Sequence, residues 1–258
     1  MTGSVEVERH GGWATVTFAN PRQRNALTPA MLADVRDRVD DLAATAGLRA
    51  VILRGAGGTF SSGFAIDRIP APEDLPEDDG IEMLGQAIEA APVVVVAVIE
   101  GDCVGAALDI VCACDLRFAL ASARLGITPA RLGLVYSWRG SARIQRAAGR
   151  DAARRLFYSG DLVRADSPVG RRLVTEVAPD GAALDAAARG FVSTVAANAP
   201  RAVAGAKRIF HALDAATTLD PDVAAEIHRS RQAALASADC AEARAAFGER
   251  RPPRFTGR

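Results

Sequence analysis

The sequence has no net charge and no long hydrophobic run. Lysine and arginine together number 31 among its 258 residues, and so do aspartate and glutamate. Because equal numbers of opposite charges give no overall field of one sign, the composition argues against nucleic acid or a membrane surface as a partner. No apolar stretch reaches the length of a membrane span, and the polar residues 1–9 lack the apolar centre of a signal peptide. We therefore expect a cytoplasmic protein.

Residues that bind metals or form disulfides are also scarce. The sequence contains four cysteines and three histidines, namely Cys103, Cys112, Cys114, Cys240, His10, His211 and His228. The cysteines form no C-x-x-C pair, and a zinc site would need more nitrogen or sulfur ligands at suitable spacing. The pattern predicts no metal site and favours small, buried thiols in a reducing compartment.

The hydrophobic pattern predicts an α/β fold followed by a helical C-terminal segment. The predicted strands are residues 5–8, 13–18, 50–53, 93–98, 116–119 and 173–177, and the first two form a hairpin. The predicted helices are one that follows the Thr28-Pro29 cap, residues 81–90, residues 141–155, and the chain from Leu184 onward with breaks near 198–200 and 220–221. Residues 69–80, rich in proline and acids, are predicted as a surface loop.

The first candidate site begins where the strand 93–98 ends. Gly101 and Gly105 are followed by small residues that begin a helix, and this apolar helix carries Asp109. The N-terminus of a helix presents unpaired N–H groups and the positive end of a dipole, so it can hold a developing oxyanion. Asp109 lies three residues after Ala106, on the same helical face, so an acid or base would stand beside that oxyanion. The alternative is a buried helix that opens with glycine for close packing.

A second glycine-rich stretch, residues 55–67, follows the strand 50–53 in the same way. It is not a P-loop, because no Gly-Lys-Ser/Thr follows the glycines. Gly63 would let the backbone turn so that the N–H of Phe64 faces a ligand. By itself, however, the composition favours a plain surface turn.

Together with further motifs, these two stretches resemble the crotonase (enoyl-CoA hydratase/isomerase) superfamily. The matching segments are Asn25-Ala26-Leu27, Phe60-Ser61-Ser62-Gly63-Phe64, Gly101 through Asp115, Arg131-Leu132-Gly133-Leu134, and Pro200 with Ala206-Lys207-Arg208. The resemblance implies an α/β fold built as a spiral of ββα units over residues 1–195. It also implies a C-terminal helical region, residues 196–258, that assembles the chain into a homotrimer or a dimer of trimers.

The resemblance further implies an acyl-CoA substrate and a site that binds it. The thioester oxygen would be held by the backbone N–H groups of Phe64 and Ala106. Contacts to the substrate and its coenzyme A are implied for Arg24, Ala26, Leu27, Ala65, Ile66, Asp67, Arg68, Pro129 and Leu132. Arg24 and Arg68 are either phosphate partners or solvated surface residues. No separate cofactor is implied, because coenzyme A is part of the substrate.

The sequence departs from the superfamily at both catalytic carboxylates. Hydratases of this kind use two glutamates, and here the first position is Asp109 and the second is Pro129. Asp109 is therefore predicted as the only acid in the site. Hydration needs both an activated water and a delivered proton, which one carboxylate supplies less well than two. Burial would raise the pKa of Asp109 and the helix N-terminus would lower it, and the sequence does not decide between them.

Three functions follow from these departures. The first is an enoyl-CoA hydratase/isomerase type of reaction, in which Asp109 moves one proton. The second is a methylmalonyl-CoA type of decarboxylation, because Tyr136 stands where decarboxylases of the superfamily use a tyrosine to orient the substrate carboxylate. Against the second, those enzymes carry a histidine at the position of Phe64. The third is a non-catalytic protein that binds acyl-CoA. Tyr136 could also be only a wall of the pocket.

Overall fold

The computed structural model describes residues 3–76, 79–215 and 220–256. The strands are β1 (Ser4–Arg9), β2 (Trp13–Ala19), β3 (Ala50–Gly55), β4 (Val94–Ile99), β5 (Cys103–Val104), β6 (Leu116–Leu120), β7 (Arg124–Gly126), β8 (Val163–Arg164) and β9 (Glu176–Ala178). The helices are α1 (Pro29–Ala43), α2 (Gly80–Ala90), α3 (Ala106–Ala113), α4 (Trp138–Ala148), α5 (Arg150–Ser159), α6 (Gly170–Leu173), α7 (Gly181–Ala197), α8 (Pro200–Ala215), α9 (Pro221–Leu235) and α10 (Ala238–Gly248).

Six strands form one sheet in the order β1-β2-β3-β4-β6-β9. The predicted hairpin β1–β2 is antiparallel, and every other neighbouring pair in this sheet is parallel. Parallel neighbours place their carboxyl ends at the same edge, where α/β proteins commonly bind ligands. The loops that follow β2, β3 and β4 therefore meet at one edge of the sheet. The predicted α/β architecture is confirmed.

Both faces of this sheet are covered, as expected for a parallel sheet. Along β4, Val95, Ala97 and Ile99 belong to a core shared with α1, α2 and α3. The alternate residues Val94, Val96 and Val98 belong to a second core against α7. Successive side chains of a strand point to opposite faces, so the unbroken apolar run in β4 serves both cores.

A second sheet of three short strands, β5-β7-β8, lies beside the site. Strand β5 begins four residues after β4 ends, and it pairs in parallel with β7. The sequence pattern does not reveal these strands, because a strand of two or three residues has no measurable periodicity. Strand β4 itself lies one residue further along the chain than predicted.

Two predicted elements differ from the structure. The helix predicted over residues 141–155 is two helices, α4 and α5, which are separated by Gly149 with φ of +79°. The strand predicted over residues 173–177 is instead the end of α6 followed by β9. Within the predicted loop 69–80, residues 72–74 form a 3₁₀ helix, Gly80 begins α2, and residues 77 and 78 lie outside the described part.

The C-terminal helices follow the predicted breaks, and α9 and α10 also cover parts of their own chain. Helix α9 contacts the 3₁₀ helix 72–74, and α10 contacts a 3₁₀ helix at 129–132. The predicted division after residue 195 falls in the last turn of α7, and it stays a prediction. Within the described residues, no helix combines the length and the apolar character that a membrane span requires.

Lys207, the single lysine of the sequence, anchors α8 to the core. Its buried ammonium donates to the carbonyls of Ile88 and Val93, at 2.9 and 2.8 Å, and to Asp115 Oδ2 at 2.8 Å. An ammonium has three donors on a compact head, which matches three acceptors that converge from α2, β4 and the end of α3.

We expect Lys207→Met to destabilise the protein by about 2–4 kcal/mol, because it leaves three acceptors without their donor. Chemical denaturation measures this change. The matched control is Arg208→Met on the exposed side of the same helix, for which we expect a change within about 0.5 kcal/mol. Equal effects of the two substitutions would contradict the anchoring role.

Candidate active site

Backbone hydrogen bonds on both sides hold the segment Ser61–Ala65 in place. On one side, the N–H of Ser61 donates to the carbonyl of Asp102 at 2.8 Å, and the N–H of Val104 donates to the carbonyl of Ser61 at 3.1 Å. This pairing joins the loop after β3 to the loop after β4. The segment therefore cannot shift without breaking the start of β5.

On the other side, the same segment pairs with Leu27. The N–H of Leu27 donates to the carbonyl of Gly63 at 2.8 Å, and the N–H of Ala65 donates to the carbonyl of Leu27 at 2.9 Å. Because successive peptide groups of an extended chain point in opposite directions, the N–H of Phe64 points away from Leu27. That this N–H faces a ligand stays a prediction.

Glycines allow the two segments to approach each other. Gly63 has φ of +97°, and a Cβ added there would lie 2.6 Å from the carbonyl oxygen of Val104 and 3.7 Å from the nitrogen of Ala106. Gly105 has φ of +60°, and its N–H donates to the carbonyl of Gly126 at 2.9 Å. Helix α3 then begins at Ala106. Gly63 thus lies directly beside the first turn of that helix.

The predicted pair of N–H groups, those of Phe64 and Ala106, is unpaired in this arrangement. In the described part of the chain, neither group donates a hydrogen bond. Ala106 is the first residue of α3, so its N–H has no partner within the helix. Two unpaired N–H groups beside a helix N-terminus form a site for a negatively charged oxygen.

Asp109 lies in the first turn of α3, and both of its carboxylate oxygens have partners. The Tyr136 hydroxyl donates to Oδ2 at 3.1 Å, and Arg143 Nη1 donates to Oδ1 at 2.8 Å. The residue is only 1% exposed. Burial raises the pKa of this carboxyl above its ordinary value, although Arg143 and Tyr136 act in the opposite direction. Sequence-predicted Asp109 and Tyr136 therefore form a direct pair.

A second buried acid lies behind Asp109, and the prediction that Asp109 is the only acid in the site itself stays a prediction. Glu82 of α2 is 2% exposed and accepts from Arg143 Nη2 at 2.5 Å. One buried guanidinium thus binds both carboxyls. Burial also raises the pKa of Glu82.

A trace of this cluster is present in the sequence. Glu82 and Arg143 each lie in a segment predicted as helical, with Gly85 three residues after the first and Gly140 three residues before the second. Opposite charges beside glycines on two helices are consistent with a close contact. Nothing local, however, shows that these two helices face each other across 61 residues of sequence.

Pro129 occupies the position where a second carboxylate was considered. It is buried at the start of the 3₁₀ helix Pro129–Leu132, and Leu132 is half-buried at its end. The chain then continues to Tyr136, whose ring centroid lies 6.0 Å from that of Phe157. The proline side chain is apolar and has no proton to donate.

The residues predicted to contact coenzyme A lie on both sides of the same segment. Arg24, with φ of +52°, forms an ion pair with Asp102, which also binds Arg124 Nη2 at 2.6 Å. The hydrogen bond from Arg124 holds the pKa of Asp102 below its ordinary value. Asp102 thus fixes two largely exposed arginines beside the site, and sequence reasoning missed Arg124.

The remaining predicted contacts are a mixture of buried and exposed residues. Ala26 is half-buried next to the buried Leu27, and Ala65 is buried. Ile66, Asp67 and Arg68 form a 3₁₀ helix in which Asp67 and Arg68 are exposed. The Arg68 Nε lies 3.5 Å from Asp67 Oδ2, so Arg68 is paired at the surface rather than buried in the site.

Possible metal ligands and two of the thiols can be checked directly in the described part of the chain. Across residues 3–76, 79–215 and 220–256, no group of three or more His, Cys, Asp or Glu side chains could hold a metal ion. Burial raises the pKa of Cys112 and of Cys114 to about 12, so both thiols stay protonated at neutral pH.

The unpaired N–H groups of Phe64 and Ala106 lie where the loops after β3 and β4 meet at the edge of the sheet. A family model for enoyl-CoA hydratase/isomerase matches residues 8–258. The chain belongs to this family.

Individual relatives are named for different reactions. The chain is 34% identical over 264 residues to a Thermus thermophilus protein named "Putative enoyl-CoA hydratase", covering 97% of this chain and 100% of that one. It is 27% identical to the methylmalonyl-CoA decarboxylase of Escherichia coli, covering 95% and 94%. A solved structure of methylmalonyl-CoA decarboxylase with 2S-carboxypropyl-CoA matches with a TM-score of 0.92, 26% identity and 98% of each chain. The predicted crotonase fold is confirmed.

We expect Gly63→Ala to destabilise the protein by about 1–3 kcal/mol and to remove ligand binding at the two N–H groups. Alanine at position 63 would be strained at the positive φ, and its Cβ would displace the carbonyl of Val104. Thermal unfolding and titration with acyl-CoA measure both effects. The control is Gly190→Ala in α7, where a Cβ meets nothing within 4 Å. That substitution should be neutral or stabilise by up to about 1 kcal/mol. Normal ligand binding by Gly63→Ala would show that the close approach is not needed.

Proposed function

We propose that this protein is an enzyme that acts on acyl-CoA thioesters through a thioester enolate. The observation that carries the proposal is the adjacent pair of unpaired N–H groups on Phe64 and Ala106. When the α-carbon of a thioester loses a proton or a carboxyl group, negative charge develops on the carbonyl oxygen. Two preorganised donors stabilise that charge, each typically by about 3 kcal/mol.

In this proposal the coenzyme A portion of the substrate lies along the surface beside the segment Ser61–Ala65. Arg24 and Arg124 are held there by Asp102 and carry positive charge at the surface. Such groups suit the phosphates of coenzyme A. Because coenzyme A enters as part of the substrate, the proposed reaction requires no separate cofactor.

The acid–base group in this proposal is the Asp109–Tyr136 pair, which exchanges one proton with the enolate. With Pro129 at the second position, that position supplies no carboxyl to activate a water. A reaction in which one group removes a proton and returns it at another carbon is therefore favoured over efficient hydration. Within the hydratase/isomerase type, we propose a shift of the double bond of an enoyl thioester.

Decarboxylation of a malonyl-type thioester is the second candidate. Loss of carbon dioxide forms the enolate without a base, so a site with one buried acid and two N–H donors is sufficient. In this candidate the hydroxyl of Tyr136, which contacts Asp109, orients the substrate carboxylate, and the likeness to methylmalonyl-CoA decarboxylase supports this reading. The absence of a histidine at Phe64 argues against it.

The deciding experiment incubates the enzyme with enoyl, malonyl and hydroxyacyl thioesters and follows products by mass spectrometry. An isomerised enoyl product supports the first candidate, and loss of carbon dioxide supports the second. Asp109→Asn should lower kcat by about 10²–10⁴-fold while KM changes little, because the pair acts on the proton and not on binding. The exposed Asp151→Asn is the control and should leave both unchanged.

Binding of every thioester without turnover would overturn the enzyme proposal and would favour a non-catalytic acyl-CoA-binding protein. Full activity of Asp109→Asn on its substrate would remove Asp109 from the mechanism but would leave the oxyanion site in place.

We also propose that the chain assembles as a homotrimer or a dimer of trimers through its C-terminal helices. Ile209, Phe210 and Leu213 lie on α8 and are 60%, 66% and 65% exposed in the single chain. Three large apolar side chains within five residues are typical of a surface that a partner covers.

We expect light scattering to give a mass of three or six chains, and Phe210→Asp to shift it towards one chain because it places a charge in the apolar surface. Tyr158→Asp is the control, since Tyr158 is 77% exposed on α5, away from α8. A monomeric wild type would contradict the assembly.

A further inference from the structure

A buried cluster of charges lies behind the candidate site, where α2, α3 and α4 meet. Its centre is Arg143, which is 2% exposed. Nη1 binds Asp109 at 2.8 Å, Nη2 binds Glu82 at 2.5 Å, and Nε lies 3.3 Å from Glu89 Oε2. One guanidinium therefore faces three carboxyls from two other helices.

Two glycines make the space for this cluster. A Cβ on Gly85 would lie 2.7 Å from the Arg143 Cζ. A Cβ on Gly140 would overlap Asp109 Oδ2 and lie 2.6 Å from Tyr136 Cε1. Glycine inside a helix is less stable than alanine by about 1 kcal/mol, so α2 and α4 each give up some helix stability to accommodate these polar groups.

The buried part of the cluster has more carboxyls than cations. Asp109 and Glu82 are both almost fully buried, and the cation that binds both is Arg143. Glu89 is more exposed and has its own partner, Arg146, at 2.9 Å. A single cation offsets one carboxylate, and a second buried carboxylate beside it is unfavourable. One bound proton removes that excess charge.

Other charged groups surround the cluster at its edges. On α4, the half-exposed Arg139 Nε lies 4.0 Å from Glu82 Oε1. From α8, Asp214 lies 3.7 Å from Arg146 Nε. Asp79, at the start of α2, pairs with Arg231 of α9 at 3.1 Å, and Cys112 is a half-buried thiol on α3. The nearest fully buried cation to Asp109 and Glu82 remains Arg143.

Protonation of Glu82 and protonation of Asp109 have different consequences for the neighbouring groups. Glu82 Oε2 is buried and has no hydrogen-bond partner among the described residues, so a proton there affects no other group. Asp109 Oδ2 faces the Tyr136 hydroxyl at 3.1 Å. If Oδ2 carries the proton, it donates to the tyrosine oxygen and the hydroxyl proton of Tyr136 is free to point into the site. If Oδ2 is ionised, that hydroxyl proton is held by Asp109.

We propose that Asp109 and Glu82 together hold one proton, because the charge of their common partner Arg143 offsets one carboxylate, and that the position of this proton decides whether Tyr136 donates or accepts a hydrogen bond towards the substrate. Arg143 and Glu82 are thus positioning residues, since neither contacts the two N–H groups of the oxyanion site. This inference rests on the proposed function, because Tyr136 is assigned there to the substrate.

The pKa shifts of Asp109, Glu82 and Arg143 agree with this shared proton. Burial raises the pKa of both carboxyls, and the negative charge of Asp109 adds to the rise at Glu82. For Arg143, burial opposes the charge, but the surrounding carboxyls raise its pKa overall, so the guanidinium stays charged.

The test is Glu82→Gln, which keeps the shape and an oxygen acceptor for Arg143 but removes one negative charge. Arg143 then serves Asp109 alone, so Asp109 should ionise at lower pH. We expect the pH profile of kcat to move towards lower pH by about one unit or more, with KM unchanged. The control is Glu226→Gln, an exposed change of equal charge on α9, which should not move the profile.

A second measurement does not depend on turnover. Infrared difference spectra report protonated carboxyls, and Asp109→Asn and Glu82→Gln assign the bands. In the wild type we expect one buried carboxyl to stay protonated above the pH range in which free carboxyls titrate. Each substitution should lower the pH at which the remaining carboxyl loses its proton.

Independent titration of the two carboxyls in these spectra overturns the inference, even if the enzyme is active. A coupled titration in a protein that turns over no thioester would instead support the shared proton while overturning the proposed function. If Glu82→Gln fails to fold, the coupling is read from Asp109→Asn through the titration of Glu82. A uniform loss of kcat at every pH, with no shift of the profile, would reduce Glu82 to a structural role.

Discussion

The site depends on backbone hydrogen bonds that hold the segment Ser61–Ala65 between Leu27 on one side and residues 102–104 on the other. These bonds use the carbonyl of Gly63 and the N–H of Ala65, so they leave the N–H of Phe64 pointing the other way. The parallel order of β2, β3 and β4 brings the three loops to one edge of the sheet. The donor pair therefore results from main-chain geometry, and side-chain changes at Phe64 or Ala106 need not alter it.

The charged groups are arranged on a different principle. The two N–H donors need no ionised partner, whereas Asp109 is buried and must be compensated. Arg143 supplies that compensation from α4, and Glu82 competes for it from α2. Because the cluster joins three helices behind the donors, the stability of the helix layer and the protonation of the site depend on the same contacts.

Local features of the sequence predicted the turns that carry the two N–H groups. Glycines after two buried strands indicated both turns, the cap at Thr28 marked the start of α1, and the break at Asp220-Pro221 falls where α9 begins. The break at Gly149 was missed because alanines flank it, which favours a continuous helix. The pairing of Glu82 with Arg143 was missed for a different reason: it depends on how α2 and α4 pack, and no local pattern contains that information.

The replacement of glutamate by aspartate at position 109 has a further consequence. An aspartate side chain is one methylene shorter than that of glutamate, and here its carboxylate accepts hydrogen bonds from Arg143 and Tyr136. The group that extends from this pair is the tyrosine hydroxyl, whose oxygen can donate or accept. Pro129 contributes shape and no proton on the neighbouring segment. In the proposed reaction, proton transfer runs through the Tyr136 hydroxyl, whose pKa is raised by burial and which a buried acid holds in place. Such a group suits the return of one proton to an enolate better than the activation of water.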